Sequence, residues 1–348
     1  MDRSALGRVL RSSAFWVLVV FLALVVAEMY LWADGKRAVP YAFTRSIFYP
    51  VLLAILSYVL VFRKSDHYEN FKAFLTAFSF GVVGASLFLM SRRPTMFDSL
   101  AEEDGFIENL SAAALLVGAA VFVAIAVMRL LRRNFFVAGV AVLFGIVLFV
   151  IGMEEISWMQ RVLNFETSDF FLERNIQNEA NLHNLNTGVS EKMFYFGGFL
   201  TLILLPFFHG PLSAFLRDHE RPELGTLLPE SWVLVPSSLM VGYVGTSIEG
   251  DPTQGIASMV TVFLLFRLGV TSLRAGNLPK FMIYSAFLAL VCLMLYYFST
   301  YDYSKVDIRS WARKEYLELI IALGLLGWAV SALSQTLKAR SARATIAA

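Results

Sequence analysis

The sequence predicts an all-α, polytopic transmembrane helix bundle of about ten spans, and three observations predict it. The 348 residues are 57% hydrophobic and only 16% charged, against roughly a quarter charged in a typical soluble domain. Mean hydropathy is +0.64. The apolar residues fall in long runs, and a membrane-crossing helix needs roughly 20 of them in succession. We read spans at 14–33, 41–62, 71–91, 105–130, 135–156, 193–213, 231–247, 256–273, 281–299 and 317–336. The whole chain, 1–348, reads as one integral membrane domain.

The first run follows Arg3, Arg8 and Arg11, as a signal peptide would. It continues through Met29, Tyr30, Leu31 and Trp32 without a small-residue cleavage site, which favours a retained helix. Pro50, Pro206 and Pro236 fall inside spans and should kink them. Gly242, Gly245, Pro252 and Gly255 blur the limits of the seventh and eighth runs. Between spans five and six, residues 157–187 form the longest polar interruption. There Thr167 or Ser168 can cap a short helix beginning near Asp169, and Gly188 can end the one that follows. That segment reads as two interfacial helices, with Phe165, Phe170, Phe171 and Leu172 toward the membrane. Residues 337–348 read as a short cytoplasmic tail.

Lys and Arg set orientation. Sixteen of the 29 fall on the side shared by the two termini and eleven on the other. The bias places both termini in the cytoplasm of a bacterial inner membrane. Acids are distributed the other way, since only seven of the 27 lie on the cytoplasmic side. Acids contribute little to insertion, so the skew belongs to something on the outer face. Glu28, Glu108, Glu154, Glu155 and Glu318, with Arg45, sit inside or at the outer ends of spans. Ionisable groups at that depth face a bundle interior or a wet cavity. The expectation is a polar cavity beneath the outer surface, roofed by 157–187.

Candidate chemistry concentrates there. Glu154 and Glu155 are adjacent at the end of span five. Two nearby carboxylates can divide acid and base duties or, with a histidine, hold a divalent cation. Glu154 is the stronger candidate, because Glu154, Trp158 and Arg161 share one face if the helix continues. His183 is the one outer histidine and lies one turn after Glu179, so it can serve as proton partner. A three-histidine zinc site cannot be assembled on that face. A metal, if one binds, is expected at Glu154, Glu155 and His183. Asp104 and Glu108, with Ser111, form a second acid group at the start of span four. Arg45 and Arg161 can clamp an anionic head group, with Trp158, Gln160 and Asn184 beside them. Arg267 lies mid-span, where it either snorkels or marks a polar path.

The run Glu154-Glu155-Ile156-Ser157-Trp158-Met159-Gln160-Arg161, followed by Asn175-Ile176-Gln177-Asn178-Glu179-Ala180-Asn181-Leu182-His183-Asn184, resembles a signature of poorly characterised bacterial multi-pass membrane proteins. The Glu103-Asp104-Gly105 segment resembles that group too. The resemblance implies a membrane location but carries no activity. The spacing Glu108-x-x-Ser111 is similar to a motif of the alkaline ceramidase superfamily, from which this chain departs by lacking paired downstream histidines on the same side.

These features lead to three expectations. The first is an enzyme acting on a lipid or lipid-linked substrate at the outer leaflet. The second is a proton- or cation-coupled transporter with Arg267 on the path. The third is an accessory protein whose ionic cluster only holds helices together. Membrane lipids are the expected partners. Nucleic acid is excluded, because the net charge is +2 and no Lys/Arg-rich face exists. The single cysteine, Cys292, can form neither an intrachain disulfide nor a thiolate metal site.

Overall fold

A computed structural model describes residues 67–102, 105–160, 166–172, 181–182, 187–244, 252–301, 309 and 311–347. Every regular element among them is helical. Among the described residues seven helices are long and apolar enough to cross a membrane: α1 (His67–Arg92), α2 (Phe106–Leu130), α3 (Phe135–Glu155), α4 (Thr187–Phe199 and its continuation to Phe207), α5 (Pro252–Arg274), α6 (Leu278–Thr300) and α7 (Ala312–Ala347). The protein is therefore a multi-pass, all-helical membrane protein. The expected spans 14–33 and 41–62 lie outside the described residues.

The chain divides into two units, residues 1–78 and 79–348. In the first, the described residues are the opening turns of α1, where the rings of Phe74 and Phe78 stack 5.6 Å apart. The second holds everything below.

Within it α2 and α3 form the most closely paired hairpin, and α7 packs along α2. α5 and α6 form a second hairpin. α7 is the hub: 72% of its apolar window is buried, against 22–50% for the other six helices. Small residues let it approach so closely, as membrane helices require in the absence of a hydrophobic drive between them. A Cβ on Gly118 would lie 3.0 Å from Leu148 and 3.7 Å from the Leu326 backbone. One turn deeper, Phe122, Phe144 and Trp328 meet edge to face, with centroids 4.7–5.5 Å apart. The outward faces of α3 and α5 carry exposed Leu143, Ile146, Phe149, Met259, Phe263 and Phe266. Water would not tolerate such continuous apolar stripes, whereas lipid does.

Two spans depart from expectation. Within the expected span 231–247, the described residues 231–244 are not one helix. They form a chain of short turns, Ser231–Val233, Leu234–Ser237 and Met240–Val244, and every residue from Val233 to Tyr243 is buried. Pro236 lacks the N–H that a continuous helix needs. Interrupted backbone at this depth survives only inside protein, and its immersion between α6 and α7 satisfies that condition. The sixth span begins earlier than expected, at Thr187, so Gly188 lies in its first turn instead of ending a helix. Ahead of Pro206, α4 widens into a π turn at Leu200–Leu204, which accommodates the proline ring and its missing donor. α7 also runs on through Ala347 as continuous helix.

The closest approach in the core is at Gly324 of α7. A Cβ there would stand 2.5 Å from Ser237 Oγ and 2.7 Å from Leu202 Cδ1, both on fully buried residues. Gly324→Ala should therefore cost about 1–3 kcal/mol by overpacking. Gly197→Ala, where nothing lies within 4 Å, should be neutral or stabilising. Thermal unfolding of both variants in detergent micelles, read against the parent, checks the difference.

Candidate functional site

α2 and α3 are antiparallel, so the start of one and the end of the other meet at the same end of the bundle. α7 starts at that end as well. Glu108, Glu155, Glu315 and Glu318 thereby converge from three helices, and their negative charges act on one another. All four are half-buried. Glu318 accepts a hydrogen bond from the buried Tyr195 hydroxyl of α4 at 3.0 Å. Nearby, Lys314 donates to both carboxylate oxygens of Glu191 at 2.7 Å. Glu155 and Glu315 have no hydrogen bond or ion pair with the described residues.

The adjacent glutamates are used differently. Glu154 is 8% exposed. Its Oε1 accepts from Trp158 Nε1 at 2.6 Å and its Oε2 from the Leu182 backbone N–H at 2.5 Å. It is a latch between the end of α3 and a residue 28 positions further on. Glu155, about 100° round the helix, faces the other carboxylates instead.

The helix does not continue past Glu155, so the shared face expected for Glu154, Trp158 and Arg161 does not form as a right-handed helix. The chain turns left-handed for three residues: Ser157 (φ 44°), Trp158 (φ 56°) and Met159 (φ 61°). None is glycine, and each such residue costs roughly 1–2 kcal/mol. Conformations of this kind persist only where surrounding contacts over-determine them, and here the contacts are evident. Trp158 is tied to Glu154. The buried Asn181 donates to Ser157 Oγ at 3.1 Å. Gln160 donates to Thr167 Oγ1 at 2.5 Å, and Trp158 meets the Phe149 ring edge to face at 6.5 Å. Past Thr167 a four-residue helix, Asp169–Leu172, exposes Phe170 and Leu172.

Arg45, Asp104, Arg161, His183 and Asn184 lie outside the described residues. Among the described residues no three carboxylate, histidine or cysteine side chains stand close enough together to hold a metal ion. Ser111 donates to the Ile107 carbonyl at 3.1 Å, not to Glu108. Arg267 is exposed on the bundle surface, with its guanidinium 5.4 Å above the Phe207 ring.

A second network supports the site. Arg309 grips Asp98 through Nε at 2.9 and 3.0 Å and the Asp98 carbonyl through Nη2 at 2.9 Å, while stacking on Trp311 at 4.3 Å. This clamps the short helix Pro94–Leu100 to the entry of α7. Behind it Phe97 stacks on Tyr316 at 4.4 Å. Tyr243 exchanges a hydrogen bond with Ser86 at 2.6 Å, and Arg313 donates to the Tyr243 carbonyl at 2.9 Å.

Sequence reasoning missed Glu191, Tyr195 and Glu315. Their signal was available as Glu191 and Tyr195 at i, i+4 and Glu315 and Glu318 at i, i+3. It was hidden because both helices begin about five residues before the apolar runs do.

The two glutamates should separate on mutation. Glu154→Gln should cost about 1–3 kcal/mol, since it weakens acceptors of buried donors, while Glu155→Gln should leave thermal stability unchanged or raised. Met159→Gly, at a position already left-handed, should hold or raise stability. Met259→Gly, at an exposed position of α5, should cost about 1 kcal/mol. Melting temperatures of the four variants in one detergent decide both contrasts. Comparison with known proteins found no matching family model, curated protein or solved structure.

Proposed function

We infer that this protein is a membrane-embedded enzyme acting on a lipid or lipid-linked substrate at the membrane face where Glu155 lies. The observation that carries the reading is the pair Glu155 and Glu315. These two half-buried carboxylates come from different helices, have no partner among the described residues, and stand beside Glu108 and the Glu318–Tyr195 hydrogen bond. Carboxylates held at such depth without partners are expensive and mark function. In this reading Glu155 is the general base that takes the proton of the attacking water, with Glu315 in the same carboxylate cluster. Tyr195, positioned by Glu318, turns its hydroxyl from that carboxylate to protonate the leaving group.

The apolar packing below supports a site open to one side only. Leu115, Leu148, Phe122 and Trp328 fill the space between α2, α3 and α7. Arg267 lies outside the bundle on Phe207, away from any path through it. Gln160 and Leu182, the described neighbours of Arg161 and His183, lie at this end, Leu182 on Glu154. The proposed anion clamp by Arg45 and Arg161, the proton role of His183, and a divalent cation at Glu155 remain parts of this reading, as does an outward-facing site in a bacterial inner membrane.

Cation- or proton-coupled transport is the second reading. The buried, interrupted crossing Val233–Tyr243 favours it, because transporters bind ions at such breaks.

Complementation of a deletion strain separates the two. Glu155→Gln and Glu315→Gln should accumulate to parental levels yet leave the deletion's lipid or envelope composition, measured by mass spectrometry, uncorrected. Correction by both variants would sink the enzyme reading. Proton or cation flux in proteoliposomes that disappears with Glu155→Gln would replace it with transport.

A further inference from the structure

At the end of the bundle opposite these carboxylates lies a cavity of about 480 Å³ lined by Arg129, Arg132, Arg133, Asn134, Phe135, Phe136 and Glu223. We propose that it binds the phosphate of an anionic phospholipid from the adjacent leaflet, with Arg132 and Arg133 as its cationic ligands.

Charge is the first argument. Three guanidiniums face one carboxylate, that of Glu223, which leaves a surplus of two positive charges. The Arg132 and Arg133 side chains are exposed and have no hydrogen-bond or ion-pair partner among the described residues. A fourth arginine, Arg221, lies 5.6 Å above the Phe136 ring. Planar guanidinium groups suit the oxygens of a phosphate better than any other side chain.

Depth is the second. The loop joins two membrane-crossing helices, α2 ending at Leu130 and α3 starting at Phe135, so the cavity sits where lipid head groups lie. Around its mouth Leu131, Phe135 and Phe136 are 81%, 67% and 60% exposed. Acyl chains would cover these side chains while the phosphate meets the arginines. Basic pockets between helices at a membrane surface recognise anionic head groups in this way.

The site is also built, not incidental. Arg129 is 2% exposed and donates to Thr226 Oγ1 at 2.5 Å and Thr336 Oγ1 at 3.2 Å. It thus fixes the cavity floor to α7 and to the segment after Pro222–Gly225. That segment is itself held by Trp328 Nε1 on the Leu227 carbonyl at 2.7 Å and Gln335 on the Leu228 carbonyl at 2.8 Å.

The backbone shows how Arg133 is presented. α2 ends in a Schellman motif, with Asn134 N–H bonded to the Arg129 carbonyl and Arg133 N–H to that of Leu130. The left-handed position of this motif is normally glycine. α5 closes the same motif with Gly276 (φ 69°), whereas the helix His209–Asp218 closes it with Glu220 and α2 with Arg133, each at φ 57°. The strained position matters here because Arg133 lines the cationic cavity, so Arg133→Gly can remove its charge without loss of fold.

That substitution pattern provides the test. Full-length protein is stripped of lipid in a neutral detergent, then titrated with phosphatidylglycerol, phosphatidylcholine or inorganic phosphate. Bound lipid is counted by native mass spectrometry and thermal shift is followed in parallel. The parent should retain phosphatidylglycerol over phosphatidylcholine. Arg132→Ala and Arg133→Gly should each weaken that retention about five-fold, while Arg217→Ala, outside the cavity, should not. Arg133→Gly should melt no lower than the parent without lipid, so its lost binding would not be unfolding. A thermal rise with inorganic phosphate that matches phosphatidylglycerol and vanishes in the variants would support the site and assign it to a soluble phosphate. Equal retention of the two lipids, or full retention by Arg133→Gly, would overturn the proposal.

Discussion

Everything in this bundle answers to one constraint: an ionised side chain in hydrocarbon must be turned toward other polar groups. α7 is the element that meets it. It carries Lys314, Glu315 and Glu318 into the apolar layer and is the most enclosed of the crossing helices. α2, α3 and α4 gather around its first turns, each bringing a group that faces those charges, and the interrupted segment brings the Tyr243 carbonyl to Arg313. The aromatic and small-residue packing further along α7 makes that enclosure dry, so that electrostatic effects near its start are strong.

The adjacent glutamates show how one local feature divides labour. On a regular helix, Glu154 and Glu155 would differ only in angle. The left-handed turn at Ser157–Met159 folds Trp158 back on Glu154 and occupies it, leaving Glu155 directed at the carboxylates of α2 and α7. The same carboxylate anchors Leu182, so the polar segment between α3 and α4 is fastened at both of its described ends.

Much of the fold was legible in the sequence, because hydrocarbon thickness imposes a length that apolar runs advertise. Five helices, α1–α3, α5 and α6, lie within a few residues of their expected spans, and α7 contains its own while extending beyond it at both ends. The seventh run, with Pro236, Ser237, Ser238 and Gly242 in it, divides after Ser237, since burial on all sides permits backbone that lipid would forbid. The skew of acids correctly announced a polar layer at one end. Which acids met was not legible, because Glu191 and Glu315 precede the apolar runs that were taken to define the helices. The left-handed turn left no trace either: Ser157, Trp158 and Met159 contain no glycine or asparagine to advertise it, and tertiary contacts alone impose it.

That turn also dictates an order of assembly. Three non-glycine residues in a left-handed conformation cannot hold themselves there, and Asn181, which donates to Ser157, is synthesised more than twenty residues later. Until Asn181 arrives, the growing chain lacks the contact that draws it off the right-handed path. The far end of α3 is therefore among the last parts of its hairpin to settle, well after the glycine-lined contacts with α2 are in place.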